Sequence, residues 1–273
     1  MSKVDLFKDI MKDIEENFLK NESLYIVKEY EYFLEAITLY AKQNNLIKSV
    51  LLLMKNNMNE EAMVLARSVL NNYFLLSYIL ADPQKMHLKE YQMQPIITSL
   101  FYWKNAKQIM QRPFWKKLIN KGKALPFTEQ EVDKNIISLE TTIAKEGFSK
   151  KIHPLSIKKL AENADERGLE LYVTFYSEAS RFEHSDISCL DIYKEKISED
   201  YSNRRVFKLN MNKTDGRLKE KIMFMITMSY MESFRKLVDE AAKLHLEAAY
   251  NEKKLIEIMT KMMETVKFYS LMV

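Results

Sequence analysis

The sequence predicts an all-α protein, a multi-helix bundle, and three observations support this fold class. Only 4 Gly and 5 Pro occur among 273 residues, so the chain has few of the residues that turns and strand bends require. Apolar residues recur at the three- and four-residue spacing of amphipathic helices through most of the chain. Hydrophobic residues make up 47% and charged residues 29%, which is the composition of a globular protein with a real core.

The first third of the chain is predicted to form long helices. An N-terminal amphipathic helix is marked by Phe7, Ile10, Ile14 and Phe18. Residues 22–55 predict either one long helix or two helices that meet at a break near Gln43-Asn44-Asn45. The next helix, about residues 62–81, is apolar on most faces and should therefore run through the middle of the bundle. It should end at Asp82-Pro83, because the residue before a proline disfavours helical geometry.

The middle of the chain predicts shorter helices. Residues 91–120 are helical in pattern but interrupted at Pro95 and Pro113. Thr128 with Glu131 forms a capping-box pattern at the start of a helix that runs to Gly147. A short helix over residues 156–167 is predicted to stop at Gly168 through a left-handed cap, before a helix over residues 169–186.

The last third predicts an insertion and then a C-terminal arm. The helical period disappears over residues 185–216, and Arg205 to Asn210 alternates as a small strand or hairpin would. Helices return over residues 217–273, and a stripe on the last one is typical of a helix-packing or homodimer face: Leu255, Met259, Met262, Val266 and Tyr269. We therefore expect one domain over residues 1–273, with its core at about 22–184.

The composition also predicts the compartment. The single cysteine, Cys189, cannot form an internal disulfide, which is typical of a reducing cytoplasm. The N-terminus has no uninterrupted apolar run of the kind that a secretory signal contains. The most apolar segment carries Arg67 near its middle, which would be costly in a bilayer. We expect a soluble cytoplasmic protein that does not contact a membrane.

One helix end carries the candidate chemistry. Ser180, Arg181 and His184 share the side opposite the apolar stripe of the helix over residues 169–186, and Glu183 lies in the same last turn. Histidine suits proton transfer at neutral pH, and arginine suits phosphate binding. Together His184, as general acid or base, and Arg181, on the pentavalent phosphate, could cleave RNA without a metal ion. The alternative is a solvated polar helix end whose cations complement the helix dipole.

Arg67 is a second candidate because it lies in a helix whose surroundings should be dry. A buried charge must be paired or hydrogen-bonded, and Glu178 and Glu183 are the candidate partners. Asn71, four residues later, shares the same helix face. The hypotheses are a structural ion pair between core helices and a polar pocket that Arg67 shares with His184.

Two short motifs give the chain a family resemblance. Tyr176, Ser180 and His184 form a Tyr-x-x-x-Ser-x-x-x-His pattern, and Arg67-Ser68 lies on an earlier helix with Asn71 where an acid would be expected. These motifs resemble the bacterial domain-of-unknown-function family 5677, whose helical layout is loosely similar to HEPN ribonucleases. The resemblance implies a defence or toxin-like protein of the toxin–antitoxin or phage-defence kind that acts on RNA. The HEPN pattern Arg-x4–6-His is not met by Arg181 and His184, so Arg67 would supply the phosphate contact.

A basic and aromatic segment is the third candidate. No acidic residue occurs between Glu90 and Glu129, and aromatic residues alternate there with cations that could bind nucleic acid: Lys104, Lys107, Arg112, Lys116 and Lys117. Cations with stacking aromatics suit single-stranded nucleic acid. The alternatives are a solvated lysine face or a site for an acidic protein partner.

Two functions therefore remain open. The first is a metal-independent, HEPN-like endoribonuclease that acts on RNA. The second is a non-enzymatic helical binding or sensor module that contacts nucleic acid or a protein. We expect no cofactor and no metal site, because the histidines lack companions at ligand spacing and one cysteine cannot build a thiolate cluster.

Overall fold

The protein is described from a computed structural model that covers residues 3–19, 28–82, 86–120, 127–185, 187–199, 205–210, 213–244 and 252–270. The helices are α1 Lys3–Ile14, α2 Glu31–Lys55, α3 Asn59–Leu80, α4 Met86–Gln92, α5 Gln94–Met110, α6 Pro113–Asn120, α7 Glu129–Lys145, α8 Ile157–Glu162, α9 Glu166–Leu171, α10 Ser177–Glu183, α11 Ile187–Leu190, α12 Leu218–Lys243 and α13 Glu252–Ser270. Strands β1 (Lys194–Glu199) and β2 (Arg205–Leu209) form one antiparallel pair. The prediction of an all-α bundle is confirmed.

The chain divides into two compact units. The first combines residues 1–83 with 157–273, and the second is residues 84–156. The sequence near residues 83 and 157 contains no run of consecutive Gly, Ser or Pro residues of the kind that is typical of linkers. The prediction of a single domain over residues 1–273 stays a prediction.

Helix α3 is the centre of the first unit and packs against α2, α12 and α10. By length and composition α3 could cross a membrane, but 61% of its most apolar window is buried inside the fold. A buried apolar helix of this kind is what the core of a soluble protein contains. Helix α3 ends at Leu80, close to the predicted end, whereas Pro83 itself lies outside the described residues.

Helix α2 runs through Gln43-Asn44-Asn45 without a break, so the structure selects the alternative of one helix there. Gln43 and Asn44 are buried, and each bonds to another helix. The Gln43 Nε2 donates to the carbonyl of Val69 at 3.3 Å, and the Tyr230 hydroxyl donates to Asn44 Oδ1 at 2.9 Å. These polar residues therefore join helices, because their side chains find partners across the core.

Helix α13 packs against α1 of the same chain. Among its described side chains the buried ones are Ile258, Met262 and Thr265, so Met262 of the predicted stripe is buried together with two residues beside the stripe. Lys254 and Lys261 both reach Asp13 on α1, at 3.3 and 2.5 Å. The side chains of the last two stripe residues, at 266 and 269, lie outside the described part. A homodimer through the C-terminal helices stays a prediction.

In the second unit α5 packs against α7 around an apolar cluster of Met93, Ile97, Leu100 and Ile143. The predicted helix breaks at the two prolines and the predicted start and end of α7 are confirmed. Pro95 lies in the first turn of α5 and Pro113 begins α6, where a missing N–H costs nothing. Thr128 and Glu131 form the capping box of α7, and Gly147 follows that helix with φ of +84°.

The predicted left-handed cap at Gly168 is wrong. The preceding helix, α8, ends at Glu162, and Asp165 caps a new helix by accepting a 2.6 Å bond from the Gly168 N–H. Gly168 is buried inside α9, where an added Cβ would lie 2.7 Å from the Cβ of Ala164. Glycine is needed here for close packing, since any side chain would collide with the preceding turn.

Asp165 also joins α9 to the rest of the first unit. It accepts a hydrogen bond from the Tyr73 hydroxyl at 3.1 Å and an ion pair from Lys236 at 2.7 Å. Burial raises the pKa of Asp165, but the bonds from Lys236, the Gly168 N–H and Tyr73 outweigh burial and hold this pKa below the usual 3.8. Asp165 is therefore charged in the folded protein at neutral pH.

The predicted insertion over residues 185–216 contains the hairpin. Strand β2 covers the stretch from Arg205 that alternates in the sequence, and it pairs with β1 through a register shift between Lys196 and Ser198. Strand β1 has no alternating pattern, so periodicity alone does not predict it. The hairpin leads through residues 213–217 into α12.

Candidate functional site

His184 closes helix α10 and is exposed to solvent. Its N–H donates to the carbonyl of Ser180 at 3.0 Å, and its side chain is 73% exposed. The imidazole Nε2 lies 3.8 Å from Glu183 Oε2. Ser185, the next residue, has a positive φ of 51°, which turns the chain away from the helix. The imidazole therefore stands at a helix end where a substrate can reach it.

Glu183 is held by Arg67, which reaches it from the central helix α3. The Arg67 Nη1 forms an ion pair with Glu183 Oε2, and Nη2 donates to the Tyr176 hydroxyl at 2.6 Å. The guanidinium carbon also lies 4.7 Å from the centre of the Tyr176 ring. Of the two partners that the sequence allowed, the structure selects Glu183, whereas Glu178 bonds to Lys221 at 2.7 Å.

An aromatic cluster fixes the position of Tyr176. Tyr172 stacks on Tyr176 at 5.3 Å between ring centres, and Phe74 of α3 meets Tyr176 edge-on at 6.1 Å. A π-helical turn over Tyr172–Tyr176 joins α9 to α10 and adds a residue to the helix period. In a regular helix Leu169 would lie on the same apolar stripe as Tyr176 and Ala179, which are buried. Because of the π-helical turn, Leu171 is buried instead and Leu169 is 43% exposed.

The structure thus brings the predicted residues of the two motifs into one cluster. Arg67 lies between Tyr176 and Glu183 and contacts both, and Glu183 in turn lies next to His184. Ser180 is half-buried and supports His184 through its carbonyl. The Arg67 guanidinium is occupied by Glu183 and Tyr176, so in this arrangement it positions Glu183. The Nε of Arg67 and the Oδ1 of Asn71 are buried without a hydrogen-bond partner among the described residues.

Arg181 points into a surface cleft next to this cluster. The cleft has a volume of about 470 Å³ and lies between α10 and residues 213–217, which precede α12. Its cations are Arg181, Lys213 and Arg217, and its apolar wall is formed by Phe182, Cys189 and Ile192. Sequence reasoning missed Lys213 and Arg217 as site residues. The signal that could have indicated them is the concentration of basic residues in and after the hairpin segment.

The two carboxylates of this cleft are both paired. Glu178 binds the Lys221 ammonium at 2.7 and 3.0 Å. Asp215 binds the Arg217 guanidinium through three bonds of 2.8 to 3.1 Å. The Arg217 bonds hold the pKa of Asp215 below its usual 3.8, so this carboxylate is charged at neutral pH.

The outer wall of the cleft is anchored by the start of α3. Glu60 is only 5% exposed and accepts bonds from the Thr214 hydroxyl at 2.7 Å and from the Asp215 N–H at 2.8 Å. Asn59 adds a bond from its N–H to the Thr214 hydroxyl and one from Nδ2 to the Asp215 carbonyl. The segment that carries Lys213 is therefore fixed before any ligand arrives.

The basic and aromatic segment lies in the second unit and is partly neutralised. Lys104 pairs with Glu140 at 2.8 Å and Lys107 with Asp133 at 2.6 Å, both across to α7. Three predicted cations are exposed and have no carboxylate partner in the ranges that the structure describes: Arg112, Lys116 and Lys117. Phe114 between them is 65% exposed. The unpaired part of the predicted surface is thus α6 and the residue before it.

Within the described ranges, no group of three or more His, Cys, Asp or Glu side chains is arranged to hold a metal ion. The expectation that the protein uses no metal and no cofactor stays a prediction.

The chain matches a family described as "Family of unknown function (DUF5677)" over residues 35–205. Neither a curated protein nor a solved structure matches it. The matched range contains both motifs, from Arg67 to His184, and it covers more than half of the chain. The chain therefore belongs to this family of unknown function.

Proposed function

We propose that the protein is a metal-independent endoribonuclease in which His184 transfers a proton during cleavage of the RNA backbone. The observation that carries this proposal is the arrangement at the end of α10. His184 is accessible to solvent, and its neighbour Glu183 is held in place by the largely buried Arg67. A reachable imidazole beside a carboxylate that is itself held in place is an arrangement that general acid–base catalysis can use.

The reaction would follow the usual balance of RNA transesterification. The 2′-oxygen of a ribose attacks the adjacent phosphorus, its proton is removed, and the bond to the 5′-oxygen breaks as that oxygen gains a proton. His184 serves as the base for the first transfer or the acid for the second. Glu183, 3.8 Å from Nε2, attracts the imidazole in its protonated form. Arg181, exposed one turn earlier, is placed to hold the phosphate.

The test uses purified protein, single-stranded RNA labelled at one end, and a chelator throughout. Wild type should generate fragments with cyclic phosphate or 3′-phosphate ends. His184→Ala should lower the rate by roughly 10²- to 10⁴-fold, as expected when a general acid or base is lost. The matched control is His153→Ala, an exposed histidine of the second unit. Intact RNA after long incubation with folded wild type would refute the proposal.

The biological role that we propose is a toxin-like or defence function in a bacterial cytoplasm, which the family resemblance supports. Inducing wild type should then slow growth, whereas inducing His184→Ala should not. Sequencing RNA ends from the same cultures connects the growth defect with cleavage. Equal growth inhibition by both proteins would speak against a nuclease toxin.

A second candidate function is supported by the exposed Phe114 beside Lys116 and Lys117. Under this reading the protein is a non-enzymatic module that binds nucleic acid or an acidic protein through α6. Lys116→Glu with Lys117→Glu should then abolish function in cells, whereas His184→Ala should preserve it. The control is Lys134→Glu on the exposed face of α7.

A further inference from the structure

We infer that the cleft between α10 and residues 213–217 binds one nucleoside phosphate unit. The cleft volume of about 470 Å³ falls within the range of roughly 300–1,000 Å³ that small-molecule sites occupy. Its wall divides into a cationic part and an apolar part, which is the division that a nucleoside phosphate presents. The function proposed above makes an RNA strand one source of this unit, and a free nucleotide is the other.

The cationic part depends on Lys213. Both carboxylates of the cleft already bind cations, Glu178 to Lys221 and Asp215 to Arg217. Among the described residues no carboxylate pairs with the ammonium of Lys213, which is exposed on the cleft wall. Arg181 faces the same space from α10. A phosphate entering the cleft therefore meets an excess of positive charge.

The apolar part can hold the base or sugar. Phe182, Cys189 and Ile192 are half-buried and line the same cleft. Burying apolar atoms of a ligand against them adds affinity in proportion to the apolar area removed from water, and a bare phosphate has no such area. An inorganic anion should thus bind more weakly than a nucleoside phosphate.

The walls are already in position without ligand, so little ordering is needed on binding. Buried Glu60 fixes Thr214 and Asp215 on one side. On the other side α10 is fixed by the bonds that Lys221 donates to Glu178 and by the ion pair between Arg67 and Glu183. Preorganised walls of this kind raise affinity because few side chains lose freedom.

The experiment measures binding of two probes to the full chain. A short 2′-O-methyl oligoribonucleotide, which lacks the attacking hydroxyl, is titrated by fluorescence anisotropy, and adenosine monophosphate is titrated by calorimetry. Lys213→Gln should weaken binding of whichever probe occupies the cleft about fivefold at low salt. For the oligonucleotide, the slope of log Kd against log salt should fall by about 0.7. Lys158→Gln, an exposed lysine of α8, is the control and should change neither value.

The apolar wall has its own variant. Ile192→Ala should weaken the nucleotide about fourfold for each buried methylene lost, while leaving inorganic phosphate unchanged. Circular dichroism confirms that each variant is folded before it is compared.

Each outcome decides the inference. Dependence on Lys213 for both probes, or for the oligonucleotide alone, supports the cleft and names the RNA strand as its source. Dependence for the mononucleotide alone supports the cleft with a free nucleotide as its ligand. Binding of neither probe, or binding unchanged in Lys213→Gln, overturns it. Cleavage of unmodified RNA is scored separately, so loss of the nuclease proposal leaves a positive binding result intact.

Discussion

Replacing Arg67 with alanine should cost the first unit about 3 kcal/mol of unfolding free energy. The side chain is 16% exposed and forms three contacts that the variant removes. A hydrogen bond from a charged donor, here to the Tyr176 hydroxyl, contributes about 1.5–3 kcal/mol. The contact with the Tyr176 ring adds about 0.5–2 kcal/mol. The ion pair with Glu183 adds at most about 1 kcal/mol, because Glu183 is 41% exposed.

The assay for Arg67→Ala is urea unfolding followed by far-ultraviolet circular dichroism. Tryptophan fluorescence cannot report this change directly, because Trp103 and Trp115 both belong to the second unit. Tyr176→Phe should cost less, since it removes the hydroxyl but keeps the ring. In a double-mutant cycle the two positions should couple by about 1–2 kcal/mol. A loss below about 0.5 kcal/mol in Arg67→Ala, the range of an ordinary surface substitution, would refute the contacts assigned to this guanidinium.

Three further predictions concern the first unit. Gly168→Ala should lower the free energy of unfolding by about 1–3 kcal/mol in a thermal melt, because the added Cβ collides with the preceding turn. Gly216→Ala is the control and should be near neutral, because nothing lies within 4 Å of its added Cβ. Equal effects of the two substitutions would contradict the packing described. Asp165 has a folded pKa below 3.8, so its contribution is present above that pH and is lost as pH falls through the lowered value. The stability gap between wild type and Asp165→Asn should therefore shrink from pH 7 to pH 3, and a gap that does not change with pH would exclude a charged Asp165. Glu60→Gln replaces one of the two carboxylate oxygens that accept bonds from Thr214 and Asp215, next to Lys213. Trypsin should therefore cut after Lys213 faster than in wild type, as measured by mass spectrometry. An unchanged rate would mean that other bonds hold the segment.

The sequence was enough to predict the fold class and most of the long helices. It also narrowed the partner of the buried Arg67 to two candidates, Glu178 and Glu183. Periodicity located α1 and α7 because each has one face in a core, and α3 was located by being apolar on most faces. Arg67 was expected to need an acidic partner because α3 is surrounded by apolar residues. Glu183, one of the two candidates, is that partner. Both are consequences of burial, which leaves a local trace.

Other features leave no local trace. Lys213 enters the cleft because Glu60 binds the residues after it, and these partners are more than 150 positions apart. Glycine serves both left-handed caps and close contacts, so Gly168 could be assigned to either use from its neighbours alone. The buried polar residues Gln43 and Asn44 resemble a helix break until their partners on other helices are known.

The π turn over Tyr172–Tyr176 has a consequence for how this site tolerates change in length. A π turn is one residue inserted into a helix, and each residue accounts for about 100° of rotation. Deleting one residue there would restore a regular helix and swing Tyr176, Glu183 and His184 together to another side of the axis. Arg67 would stay where α3 holds it and would lose both partners at once. A single codon therefore sets the alignment of the two motifs, and relatives that share the Arg67 contact should keep the same number of residues between α9 and His184.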